Sequence, residues 1–163
     1  MKATASAAAV LGERGIPREL GDVRASLVSS LGEASLAVAR IAEFSSPEAL
    51  VISGVAATGN ADLARLLAVV QGLGLAPREV DVEGVATIAL TGALEAGALE
   101  VSSVLAEAQA LTVKSGERLL FSSDVKAEAA ARADVAARRL QVTRAMLDAG
   151  AVQGSVSELV VPD

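Results

Sequence analysis

Residues 124–149 read DVKAEAAARADVAARRLQVTRAMLDA, and the choice between helix and strand for this stretch sets the architecture. Alanine, the strongest helix former, recurs through it. Ser122, Ser123 or Asp124 can cap a helix start, and Gly150 supplies a stop. Val125, Val135, Val142 and Met146, with alanines between, mark one buried side. The stretch therefore predicts a long helix from Asp124 to about Ala149. Its length of about 25 residues exceeds the usual globular helix, so one break is expected close to Asp134.

The clearest helical period lies upstream. Leu63, Leu66, Leu67 and Val70 recur at three- and four-residue steps and predict a helix over 61–71. Asn60 is the expected N-cap, and Gly72 and Gly74 the stop. After it, Val80 and Val82, then Val85, Thr87 and Ala89, alternate with a change of phase at Gly84. That pattern predicts a strand over 79–90 with a β-bulge or a close backbone approach at Gly84. Further strands are expected at 49–57, 99–113, 118–122 and 153–161. Lys114-Ser115-Gly116-Glu117 reads as a tight hairpin turn. Residues 4–11 read as a short Ala-rich helix ending near Gly12. Asp22–Ser30 and Ala34–Phe44 read as a hairpin turned at Leu31-Gly32-Glu33, and Ser45-Ser46-Pro47-Glu48 as a polar break.

The order β(49–57)-α(61–71)-β(79–90)-β(99–113)-α(124–149)-β(153–161) is that of a ferredoxin-like split βαβ fold. The expected class is α+β: a two-layer structure with an antiparallel sheet and both helices on one face. Residues 1–45 would form an N-terminal helix and hairpin extension, packed on the core or exchanged with a neighbour, and residues 46–163 the core. A possible internal duplication accompanies this reading. Val10, Gly12, Pro17, Arg18, Glu19 and Gly32 return 60 residues later as Val70, Gly72, Pro77, Arg78, Glu79 and Gly92, with a looser echo from Met146 to Gly150. Each copy reads as apolar helix, glycine stop, turn and strand. The stretch from Leu63 to Val82 resembles helix-to-strand passages in periplasmic SIMPL-type and OmpA-like domains. It covers under a fifth of the chain and lacks the Arg and Asp pattern of peptidoglycan-binding domains, so it assigns no residue a role.

Composition narrows the chemistry. The 163-residue chain contains no His and no Cys, which removes imidazole bases, thiolate nucleophiles, disulfides and Cys/His zinc sites. Phe44 and Phe121 are its aromatic residues, so a base-stacking surface has little support. The net charge of -6 disfavours general binding to nucleic acid. There is no run of apolar residues long enough for a transmembrane helix, and Gly12 interrupts the N-terminal Ala-rich stretch too early for a secretory signal. A cytoplasmic location is expected, with an exported or particle-associated one as the alternatives.

Candidate site residues are few. Gly54, Gly59 and Asn60 fall in an expected strand-to-helix loop, where free backbone N–H groups can hold an anion, although no phosphate-loop motif is present. Arg132, Arg138, Arg139 and Arg144 read mainly as a solvated helix face, with Arg132 and Arg139 the candidates for an anion or partner contact. Asp81 and Glu83 share a strand face and read as its wet side. No cofactor and no metal is expected. The leading expectation is a non-enzymatic structural or assembly protein that self-associates or forms a subunit of a larger bacterial or phage particle. A small-molecule or anion-binding regulatory module and a histidine-independent enzyme are the alternatives.

Overall fold

Between Asp124 and Asp134, charged side chains fall on alternate positions: Lys126, Glu128, Arg132 and Asp134 on one side, Val125, Ala127, Ala129, Ala131 and Ala133 on the other. This period of two is that of a half-buried strand. The computed structural model describes residues 1–12, 15, 17–46, 49–95, 97–134, 137 and 139–161. Its elements are β1 (Lys2–Leu11), β2 (Pro17–Ser29), β3 (Gly32–Ala42), β4 (Val51–Asp62), α1 (Leu63–Gly72), β5 (Val80–Glu95), β6 (Ala98–Ser115), β7 (Arg118–Asp134), β8 (Arg139–Ala149) and β9 (Val152–Val161).

The nine strands form one antiparallel sheet in sequence order, each paired with the next. This overturns the α+β ferredoxin-like expectation. Residues 124–149 are the larger part of β7 together with all of β8, paired from Lys126↔Asp148 to Asp134↔Arg139. Helix propensity is a weak prior, and the strand partners on both sides of β7 override it. Residues 4–11 are likewise strand, paired with β2 through Thr4↔Ser26 and Ala5↔Ala25, not helix. An eight-residue helix is marginal alone, whereas a ladder satisfies the same backbone groups. The layer of helices on one face is therefore replaced, among the described residues, by the single helix α1, which packs on β5 and touches β4.

The 60-residue repeat does not produce a structural duplication. Val10 ends a strand and Val70 lies in a helix; Gly32 begins β3 and Gly92 sits within β5. Pro17 opens β2 whereas Pro77 precedes β5. Val135, Arg138 and the expected turn residues Glu13, Arg14, Ile16, Pro47, Glu48 and Ala96 lie outside the described residues.

Several local expectations hold. β2 and β3 form the hairpin, closed by Ser29↔Gly32. A Cβ at Gly32 would collide with the carbonyl oxygen of Asn60 in β4, so only glycine permits that approach. The register of β5 on β6 shifts between Glu83 and Val85: Gly84 stands opposite two residues of β6, Ala110 and Leu111, so a bulge lies at this point but its extra residue belongs to β6 rather than to the strand expected to carry it. Helix α1 starts at Leu63. Its N-cap is Asp62 rather than Asn60: the Asp62 carboxylate accepts from the Arg65 N–H at 3.1 Å.

The sheet has two chemically distinct faces. One row on the first face runs Ala5, Ala25, Leu36, Ala57, Leu90, Val104, Ala129, Ala145, Val156 across all nine strands. The row beside it, from Ala3 through Leu27, Gly59, Ile88, Ala127 and Leu147 to Gly154, and the row from Val23 through Val38, Val55, Val101 and Val142 to Leu159, are apolar as well. The opposite face carries the polar rows. One contains Thr4, Ser26, Ser35, Thr58 and Glu128 together with Ala89, Leu105 and Met146; the other contains Lys2, Glu33, Asn60, Thr87, Glu107, Lys126 and Asp148 together with Val28, so this face is mixed and carries the charges.

Almost nothing covers the apolar face. Among the described residues only Val38 and Ala42 are buried. Ile88 is 51% exposed, Leu36 41% and Val156 49%. The chain exposes 10967 Å², against about 7,500 Å² for a folded monomer of this mass.

Candidate functional site

The expected anion site is not assembled. Gly54, Gly59 and Asn60 lie inside β4, not in a loop. From Gly59 to Ala61 the strand is paired on both sides, with β3 and with β5, so the backbone groups of Gly59 and Asn60 serve ladders rather than a ligand. Gly59 belongs to the apolar face and Asn60, the next residue, to the polar one, where its Oδ1 accepts from the Glu33 N–H at 3.2 Å. The N-terminus of α1 begins three residues beyond Asn60 and its cap is the Asp62 carboxylate, a group that repels anions.

The arginines are strand residues as well. Arg132 in β7 stands between Glu100 and Gln141, and Arg139 in β8 stands opposite Asp134. Both share the polar face, one row apart. Arg132 is three strands and six rise steps from Asn60, about 25 Å away by standard sheet spacings, and Arg139 is one strand and two steps farther. The glycine and arginine candidates thus do not form one site. Arg144 belongs to a different group, and Arg138 is outside the described residues. Asp81 and Glu83 share a face of β5, with Lys114 and Thr112 as their cross-strand partners. Among the described residues, no three acidic side chains are placed to hold a metal ion.

Sequence reasoning missed a charge cluster that the register builds. Glu107, Lys126 and Asp148 are consecutive across β6, β7 and β8, and Glu128 lies two residues along from Lys126. Lys126 Nζ is 3.0 Å from Glu128 Oε1 and 3.7 Å from Glu107 Oε1, and Arg144 pairs with the other oxygen of Glu128. The hydrogen bond from Lys126, then that from Arg144, holds the Glu128 carboxyl below its ordinary range. The hydrogen bond to Glu128 reciprocally raises Lys126. The formal charges of Glu107, Lys126, Glu128 and Arg144 cancel. The cluster spends its charge internally and ties three strands together, which is a structural role. Cross-strand hydroxyl pairs, Thr4 with Ser26 and Ser35 with Thr58, each at 2.7 Å, add to the polar face.

The other feature the sequence reading missed is the continuous apolar face. Its signal was present as period-two alternation in 125–133, but it could be joined across nine strands only once the register was known. No helix among the described residues is long and apolar enough to cross a membrane. No family model matches the chain, and no curated protein or solved structure is detectably similar to it.

Proposed function

We propose that the chain is a structural subunit that self-associates through its sheet and contributes to a larger particle. The observation that carries this reading is surface area. The chain exposes 10967 Å², about 3,500 Å² more than a compact monomer of its size. Obligate interfaces bury about 2,000–5,000 Å² in total, or about 1,000–2,500 Å² on each partner, so the excess on one chain is larger than a single such contact removes from it. Among the described residues β1 and β9 each have a neighbouring strand on one side only, and a strand with an open side favours further association.

The test is mass in solution. Light scattering at about 0.1 M and 1 M salt, a range that shortens the Debye length from roughly 10 to 3 Å, should give an integer multiple of 16.3 kDa at both. A monomer at both salt levels overturns the proposal.

A further inference from the structure

We infer that the apolar face is the contact surface for the same face of a second copy, giving a two-fold sheet-on-sheet dimer. This deepens the preceding reading and rests on it: self-association is assumed, and the face and partner are what is added.

The first argument is area. Nine strands at about 4.8 Å spacing give a width of about 38 Å, and the apolar rows span about 20 Å along the strands. That is roughly 800 Å² per copy, so a pair would bury about 1,600 Å², the size of a standard stable interface. The largest apolar patch on an ordinary monomer is about 300–600 Å². The second argument is charge. The row through Leu36, Leu90 and Val104 and its two neighbours contain no charged or polar residue across the sheet, whereas Lys126, Glu128 and Arg144 all lie on the opposite face. A surface without charge presents nothing for a differently charged partner to complement. It is compatible with itself, as a two-fold contact requires. The third is shape. Alanine and glycine recur between the larger residues, so two such faces can interdigitate as the halves of a β-sandwich do.

Lipid is the rival occupant of an apolar sheet face, and two features disfavour it. Membrane barrels carry aromatic girdles at both interfaces, and the aromatic residues of this chain are Phe44 and Phe121 alone. Open sheet edges are not tolerated in hydrocarbon, and among the described residues β1 and β9 are not paired with each other.

The chain contains no cysteine, so single thiols can report on each face. Ile88 lies on the apolar face and Thr87, its neighbour in β5, on the polar one. In Ile88→Cys, maleimide labelling should slow at least ten-fold between dilute and assembling concentrations, while in Thr87→Cys it should not change. Ile88→Glu should raise the dimer dissociation constant at least ten-fold and Thr87→Glu should leave it unaltered, with circular dichroism reporting the fold of each. If Ile88→Glu fails to fold, the thiol pair decides alone. An Ile88→Cys chain that assembles yet stays freely labelled overturns the face while leaving self-association standing. A wild-type monomer overturns both. Protection of the Ile88→Cys thiol only on adding phosphatidylcholine–phosphatidylglycerol vesicles overturns the second copy in favour of lipid.

Discussion

Replacing Gly84 with alanine should cost far more than replacing Gly72, although both glycines follow an apolar segment. Gly84 sits at φ +129°, a conformation that L side chains rarely adopt. A Cβ there would lie 2.8 Å from the carbonyl oxygen of Gln109 and 3.2 Å from that of Ala110. Both atoms are backbone of β6, so neither can swing aside. The backbone strain is about 1–3 kcal/mol, and each ladder hydrogen bond lost as β6 shifts adds about 1 kcal/mol. The expected cost of Gly84→Ala is therefore about 2–4 kcal/mol. At Gly72, the last residue of α1, an added Cβ meets nothing within 4 Å. There alanine should stabilise by up to about 1 kcal/mol through helix propensity. Urea unfolding at one fixed protein concentration measures both. A Gly84→Ala cost under about 0.5 kcal/mol, well short of the strain alone, would show that β5 and β6 do not meet through this bulge.

Three other outcomes follow from local geometry. Because Glu128 is held low, the stability its cluster adds is complete above the ordinary glutamate value of about 4.3 and is lost as pH falls through the lower folded value; Lys126, held high, keeps its share below about pH 10.4 and loses it only as pH rises through its raised value. The urea midpoint should thus fall more steeply below about pH 4.3 in the wild type than in Glu128→Gln, and coincident slopes would remove the cluster from the account. Asp62→Ala deletes the cap on the Arg65 N–H and should cost about 1 kcal/mol in urea unfolding; no loss would mean that α1 does not depend on that bond. Ala130→Thr, on the polar side of β7 opposite Arg144, should stabilise by some tenths of a kcal/mol in a strand and destabilise by a similar amount in a helix, so the sign of the change in thermal midpoint reports the secondary structure of residues 124–134.

The sequence was legible where local signals agreed. Leu63, Leu66, Leu67 and Val70 gave the helical period and Gly72 its end, and Gly84 announced the bulge by a change of alternation. Gly32 marked the β2–β3 turn. Reading failed where residue type and pattern disagreed. From Val125 to Ala133 the alanines favour helix while the placement of Lys126, Glu128 and Arg132 favours strand, and composition was weighted above period. The Gly54–Asn60 stretch misled differently. Thr58-Gly59-Asn60 has turn chemistry, yet these residues lie in a paired strand, and Asp62, two residues further on, takes the cap. The anion reading depended on free N–H groups that the ladder had consumed. The apolar face was out of reach of local reading, because it is made of two or three residues from each of nine strands and depends on registers that bulges reset at several places.

A lone sheet gains little from side-chain burial, and this one shows the consequence. Only Val38 and Ala42 are buried among the described residues, so folding of an isolated chain rests on ladder bonds, each worth about 0.5–1.5 kcal/mol net. Fixing the backbone costs about 1–2 kcal/mol per residue, a comparable amount with the opposite sign. The margin has to come from apolar surface removed from water, at about 25 cal/mol per Å², and a second copy on the apolar face would remove the part of it that includes Leu27, Leu36, Ile88, Leu147 and Val156. Folding and association should therefore be one equilibrium. For a dimer that unfolds to monomers, each ten-fold rise in protein concentration adds about 1.4 kcal/mol of apparent stability per dimer. The urea midpoint should rise steadily from about 1 to 100 µM protein, and a midpoint independent of concentration would show that the sheet is stable without a partner.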